Sequence, residues 1–192
     1  MKEMINQTNQ EILLHVARQA LQLAVEERRQ IKLDLTQFDE ALRREGASFV
    51  TLHKHKQLRG CIGTLAAYQP LILDVAEHAV AAGTQDFRFP SVRPNEMDDI
   101  KFEISVLSEA VSLSYEDDHD LLNKLIPGVH GVVLLSGMKR ATFLPQVWES
   151  IPDKENFLNQ LCMKMGVSAS SWRMNHYDVS VYEVQEFAEA DD

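Results

Sequence analysis

Leu58-Arg59-Gly60-Cys61-Ile62-Gly63-Thr64 is a seven-residue run that places a cysteine between two glycines, two residues after an arginine. Read as an extended segment, its side chains alternate between two faces. Leu58, Ile62 and Thr64 then point one way and Arg59 and Cys61 the other, while Gly60 and Gly63 add no bulk. One face packs into a core; the other presents a thiol beside a fixed cation, with open backbone on either side. A guanidinium on the same face as a thiol favours the thiolate. The plainer alternative makes Cys61 a small buried hydrophobe and the glycines marks of close packing. Just upstream, Ser48 to His53 is strand-like and Lys54–Gln57 is polar, so the run is the second arm of a β-hairpin.

Working outward, Thr8 to Val25 has helical periodicity, with Thr8 and Glu11 at capping-box spacing. A short helix is expected over about 38–45, capped by Thr36 and stopped by Gly46, and a third over 70–82 between Pro70 and Gly83. Lys101 to Leu107 alternates Phe102, Ile104 and Val106 against Lys101, Glu103 and Ser105, the pattern of a half-buried strand. An acidic helix start at 117–120 follows, then a hairpin of 132–135 with 140–144, and a short helix after Pro145. Asp153 caps a helix whose apolar stripe includes Cys162, which is therefore structural. Val179 to Phe187 reads as one final alternating strand, with a frayed acidic tail after it. Strands in hairpins with interspersed helices, and no repeated βαβ alternation, point to α+β with antiparallel sheets.

The 192 residues carry a net charge of −10 with 45% hydrophobic and 25% charged residues, an ordinary globular balance that argues against nucleic acid as a partner. One local basic cluster, His53-Lys54-His55-Lys56 with Arg59, is either a solvated hairpin tip or a lure for an anionic group near Cys61. Two cysteines about a hundred positions apart build neither a zinc motif nor a disulfide framework. The N-terminus lacks a signal-peptide core and no run reaches membrane-spanning length, so a cytoplasmic protein is expected. No phosphate loop, dinucleotide fingerprint, zinc-protease or serine-hydrolase motif is present, and no cofactor or metal is expected.

The chemistry therefore centres on Cys61 with a base brought from elsewhere. His130, between Gly128-Val129 and Gly131, is the candidate, against the alternative of a turn histidine bonded to its own loop. Gln146 is a candidate to orient a substrate amide or carboxylate, and Glu103 to pair with Arg59; Gly60, Gly63 and Thr64 complete the expected binding floor.

The run 58–64 resembles the signature of the AMMECR domain family. So do Asp86-Phe87-Arg88-Phe89-Pro90-Ser91-Val92, Phe102-Glu103-Ile104-Ser105-Val106-Leu107-Ser108, Gly128-Val129-His130-Gly131, Leu144-Pro145-Gln146-Val147 and Phe157-Leu158-Asn159-Gln160-Leu161-Cys162, in order and at suitable spacing. Phe87 stands where many relatives carry proline. The resemblance implies two unequal lobes, each on an antiparallel sheet, with the cysteine strand facing a cleft between them. The larger lobe is expected at about 1–109 and 168–192, the smaller at about 110–167. In bacteria and archaea the likeness is to protein A of the AmmeMemoRadiSam set, which makes Memo-like and radical SAM proteins the expected partners. Two functions follow as expectations: a cysteine-dependent enzyme, or a non-catalytic adaptor holding a peptide, a protein segment or a small molecule in the cleft. Nucleic-acid binding is a third, disfavoured by the net charge.

Overall fold

The structure is a computed structural model and describes residues 5–190. By contact the chain divides into two compact units: residues up to Leu107 together with those from Gln185 onward, and Ser108–Val184.

The first unit opens with helix α1 (Gln7–Glu26). Its cap is Asn6 rather than Thr8: the Asn6 side chain accepts from the Asn9 N–H at 2.9 Å. Leu13, Val16, Ala17, Ala20 and Leu21 form the buried stripe. The helix expected over 38–45 shrinks to one turn, α2 (Glu40–Arg43), because the chain is already extended at Glu45. Strands β1 (Glu45–Lys54) and β2 (Gln57–Gly63) make the hairpin, and both turn residues, His55 and Lys56, have positive φ. That is the conformation a two-residue turn needs to match strand twist.

After the short β3 (Gln69–Pro70) comes α3 (Leu71–Thr84). Gly83 does not stop this helix; it lies within it, where a Cβ would sit 2.4 Å from Leu21 Cδ1, so its bareness sets the approach of α1 and α3. β4 (Ile100–Leu107) pairs antiparallel with β1. Its expected alternation holds through Ile104, then slips: Ser105 is buried and Val106 half-buried. Helices α1 and α3 pack on one face of this sheet over Val50, Leu52, Ile100, Phe102 and Ile104. The other face carries Phe49, Thr51, His53, Cys61 and Glu103, all half-buried.

The second unit contains β5 (Val111–Ser112), α4 (Asp118–Lys124), β6 (Gly131–Ser136), β7 (Lys139–Phe143), α5 (Val147–Ser150), α6 (Lys154–Lys164) and β8 (Asp178–Tyr182). Its antiparallel sheet runs β5-β8-β6-β7. Asp117 and Asp153 cap α4 and α6. Cys162 is fully buried, and Trp148 stacks on Phe157 at 3.6 Å.

The single strand expected over 179–187 is in fact two. β8 pairs with β6, whereas β9 (Val184–Ala188) joins the first sheet, whose order is β2-β1-β4-β9 with β3 also paired to β1. Residues 168–184 thus belong to the second unit, not to the larger lobe, since β8 is an inner strand of its sheet. Nor is the tail loose at Glu189: its carboxylate takes Arg18 Nε and Nη2 at 2.7 and 2.6 Å and the Phe102 N–H at 3.0 Å.

Candidate functional site

Cys61 sits on edge strand β2, opposite Thr51 of β1. Its N–H points outward and donates to Asp86 Oδ2 at 2.9 Å, so Cys61 and Thr51 are a non-hydrogen-bonded antiparallel pair. Such pairs bring Cα atoms to about 4.5 Å and side chains into contact. Accordingly, Thr51 Oγ1 donates to Cys61 Sγ at 3.3 Å. Cys61 is half-buried, and its side chain lies on the sheet face opposite α1 and α3.

Asp86 and Arg88 take the place of a neighbouring strand along this edge. Asp86 is buried and accepts four bonds: from the Cys61 N–H, from the Arg88 N–H at 3.1 Å, from Arg88 Nε at 2.9 Å and from Nη2 at 2.6 Å. The Asp86–Arg88 backbone bond is an Asx turn, closed by the Phe89 N–H on Asp86 O at 3.0 Å. Arg88 Nη2 also reaches the Cys61 carbonyl at a long 3.4 Å. The Arg88 guanidinium, followed by the backbone N–H groups, holds the Asp86 carboxyl well below the usual carboxylate range against the opposing effect of burial. Asp86 in turn raises the pKa of Arg88, and the neighbouring Cys61 adds to that in the same direction.

Arg59 does not share the face of Cys61. The register steps from Leu52↔Gly60 to His53↔Leu58, leaving Arg59 as the extra residue of a β-bulge. Its side chain turns to Glu96, with Nε and Nη2 at 3.3 and 3.1 Å, and Lys54 Nζ joins the same carboxylate at 3.1 Å. Arg59, then Lys54 and the Arg93 N–H among others, pull Glu96 down to about 2. Lys54 and Arg59 of the basic cluster are thus paired with Glu96 and Asp99 rather than aimed at the thiol.

Glu103 does not pair with Arg59 either. In register it follows Thr51, so Cys61, Thr51 and Glu103 form a row across three strands. Burial, then a hydrogen bond and repulsion from Glu186 on β9, push Glu103 up to about 7. His53 Nε2 lies 3.6 Å from Glu103 Oε2. Among the described residues no group of three or more such side chains is arranged to hold a metal ion.

The glycines are packed rather than open. A Cβ on Gly60 would meet the Ala82 carbonyl oxygen at 2.2 Å, and one on Gly63 would meet the Phe49 ring and Ser48 O at 2.4 Å. Gly60 therefore lets α3 approach the strand, and Gly63 makes room for an aromatic ring. Thr64 spends its hydroxyl locally on the Ala66 N–H at 3.2 Å.

His130 and Gln146 belong to the second unit and Cys61 to the first. His130 Nδ1 accepts the Ile126 N–H at 3.2 Å, the self-bonded turn that the plainer reading describes, and burial lowers its pKa. Its carbonyl takes Trp148 Nε1 at 2.7 Å, tying the turn to α5, at whose N-cap Gln146 stands.

The residues that sequence reasoning leaves out are Thr51, Asp86, Arg88 and Glu96. Thr51 is legible only from the hairpin register. Asp86 and Arg88 lie in a quoted motif whose side-chain chemistry does not show in periodicity.

Two antiparallel sheets with flanking helices, and a half-exposed cysteine on one sheet edge, define the class: an α+β chain with a candidate thiol site. The AMMECR1 family profile matches residues 14–187, and the chain belongs to that family. It is similar to Protein MK0488 of Methanopyrus kandleri, at 33% identity over 187 residues covering 93% of this chain and 87% of that one. It is also similar to a protein of Methanothermobacter thermautotrophicus, at 37% identity over 160 residues and 81% of each chain. The crystal structure of uncharacterized protein PH0010 from Pyrococcus horikoshii superposes with a TM-score of 0.80 at 28% identity, covering 93% of this chain and 90% of that one.

Proposed function

We propose that this chain is a thiol-dependent enzyme with Cys61 as its nucleophile. The observation that carries the reading is the hydrogen bond from the Thr51 hydroxyl to the sulfur of half-buried Cys61, on the sheet face opposite α1 and α3. Its main chain is fixed by Asp86, and Arg88, paired with that carboxylate, reaches the Cys61 carbonyl. In an acyl transfer the Sγ–carbon bond forms, the bond to the leaving group breaks, and the proton given up by the thiol ends on the leaving group. Water then cleaves the thioester and restores the thiol. The Thr51 hydroxyl steadies the sulfur in both half-reactions.

The test is intact-mass spectrometry with p-nitrophenyl acetate. An acetyl group is expected to appear on Cys61 faster than on free cysteine and then to decay, and Thr51→Val is expected to slow its formation. Acetylation no faster than that of free cysteine overturns the reading.

A second reading has the site hold a protein segment, with Phe87, 97% exposed beside Arg88, as its apolar contact. The Memo-like and radical SAM proteins suggested by the family resemblance are the partners to test. Co-purification that is lost on Phe87→Ala supports it; no complex at micromolar concentrations refutes stable assembly.

A further inference from the structure

Arg88 has hydrogen-bonding capacity to spare. A guanidinium carries five N–H donors. One edge, Nε with Nη2, is locked on Asp86, and Nη2 touches the Cys61 carbonyl. Among the described residues Nη1 donates to nothing, and 46% of the side chain is exposed. The group is nonetheless held in place. Asp86 is buried and grips one edge, while the Phe89 ring lies 5.5 Å from the guanidinium carbon. A fixed, half-open guanidinium is a pre-organised receptor for an oxyanion, because little side-chain freedom is lost when the anion docks.

The two cations nearest along the strand are held and closed off. Arg59 and Lys54 share Glu96, Lys54 also reaches Asp99, and the unpartnered Arg59 nitrogen, Nη1, is buried. Asp86 formally offsets the charge of Arg88, but its carboxylate is buried and occupied by four donors, so it offers nothing to a ligand at the open edge. The chain as a whole is acidic, at −10, and repels anions from a distance. Any preference for an anion at Cys61 must therefore come from a local group, and Arg88 is the one positioned to supply it.

We infer that Arg88 is the anion-recognition group of the Cys61 site, and that the substrate carries a carboxylate or phosphate close to the carbon that the sulfur attacks. This rests on the thiol reading above and names the substrate class for it.

The test compares alkylation of Cys61 by iodoacetate, which is anionic, with iodoacetamide, which is neutral, at one pH and ionic strength. Cys162 is buried and does not compete in the folded protein. Relative to free cysteine, the iodoacetate-to-iodoacetamide rate ratio is expected to rise about five-fold, the size of effect one screened, half-exposed charge exerts at contact range. Arg88→Gln is expected to return the ratio to that of free cysteine, and Arg88→Lys to keep part of the gain. Cys162 staying unlabelled in each variant shows that the fold is intact, and because both reagents meet the same thiolate, their ratio is independent of any change in thiol reactivity. Protection of Cys61 from iodoacetamide by acetate or by inorganic phosphate then tells a carboxylate substrate from a phosphorylated one; protection by neither counts against the inference. A wild-type ratio equal to that of free cysteine, or a preference that survives Arg88→Gln, overturns it while leaving a reactive thiol standing. A Cys61 silent to both reagents sinks the thiol reading and this inference together.

Discussion

Asp86→Asn is the substitution that bears most on how the site is held. The side chain is 2% exposed and accepts four hydrogen bonds, two of them from the Arg88 guanidinium. Asparagine keeps one acceptor oxygen but replaces the other with an NH₂ group, which would face the Cys61 N–H or Arg88 donor to donor. Losing one partner of a fully buried ion pair costs about 3–5 kcal/mol. Arg88 is half-exposed and can return to water, so the cost here is set lower, at about 2–3 kcal/mol, near the value of one or two charge-assisted bonds. The pH dependence follows from the sign of the shift. The folded-state pKa of Asp86 is depressed, so its contribution is fully present above the unfolded value near 3.9 and is lost only as pH falls through the folded value. Urea unfolding at pH 7 and pH 5 should therefore show the same deficit, and the two proteins should converge only in strong acid. A deficit under about 0.5 kcal/mol at pH 7, within the range of ordinary surface substitutions, would refute the view that this carboxylate anchors the edge.

Two further outcomes follow from the same sheet. Gly60→Ala places a Cβ 2.2 Å from the Ala82 carbonyl oxygen, which is backbone and yields only if α3 moves. Denaturant unfolding should show a loss of about 2 kcal/mol or more, and a neutral substitution would mean that α3 is not seated there. Glu103 titrates near 7 in the fold, above its unfolded value, so the folded state binds the extra proton and stability declines as pH rises from about 4.3 to about 7. Glu103→Gln should remove that decline, gaining about 1–2 kcal/mol at pH 8 and nothing at pH 4. A gain that is equal at both pH values would refute proton sharing with Glu186.

Much of the fold is written in local periodicity. The hairpin, the 100–107 strand, α1, and the buried stripe of α6 that holds Cys162 all show in two- or 3.6-residue spacing, because each buries one face. What escaped depends on partners distant in sequence. Alternation continues through 178–188 without a break, yet the chain changes sheets at Glu183, since either sheet accepts the same pattern. The bulge at Arg59 is the sharper case. One residue inserted in a strand moves a side chain to the opposite face, and nothing in Leu58-Arg59-Gly60-Cys61 announces it. The cation that alternation assigns to the face of Cys61 is thus turned to Glu96 instead. Arg88, on a loop 27 residues along, reaches the Cys61 carbonyl, positioned by a carboxylate whose role shows only when the strand edge is seen.

The central claim is that Cys61 is an accessible thiol made reactive by its setting. The direct measurement is the rate of iodoacetamide modification in the folded protein, beside free cysteine at the same pH, with the modified residue located by mass spectrometry. The account predicts one label, on Cys61, entering several-fold faster than on free cysteine, with Cys162 labelled only after unfolding. A Cys61 that reacts no faster than free cysteine, or only on unfolding together with Cys162, contradicts it.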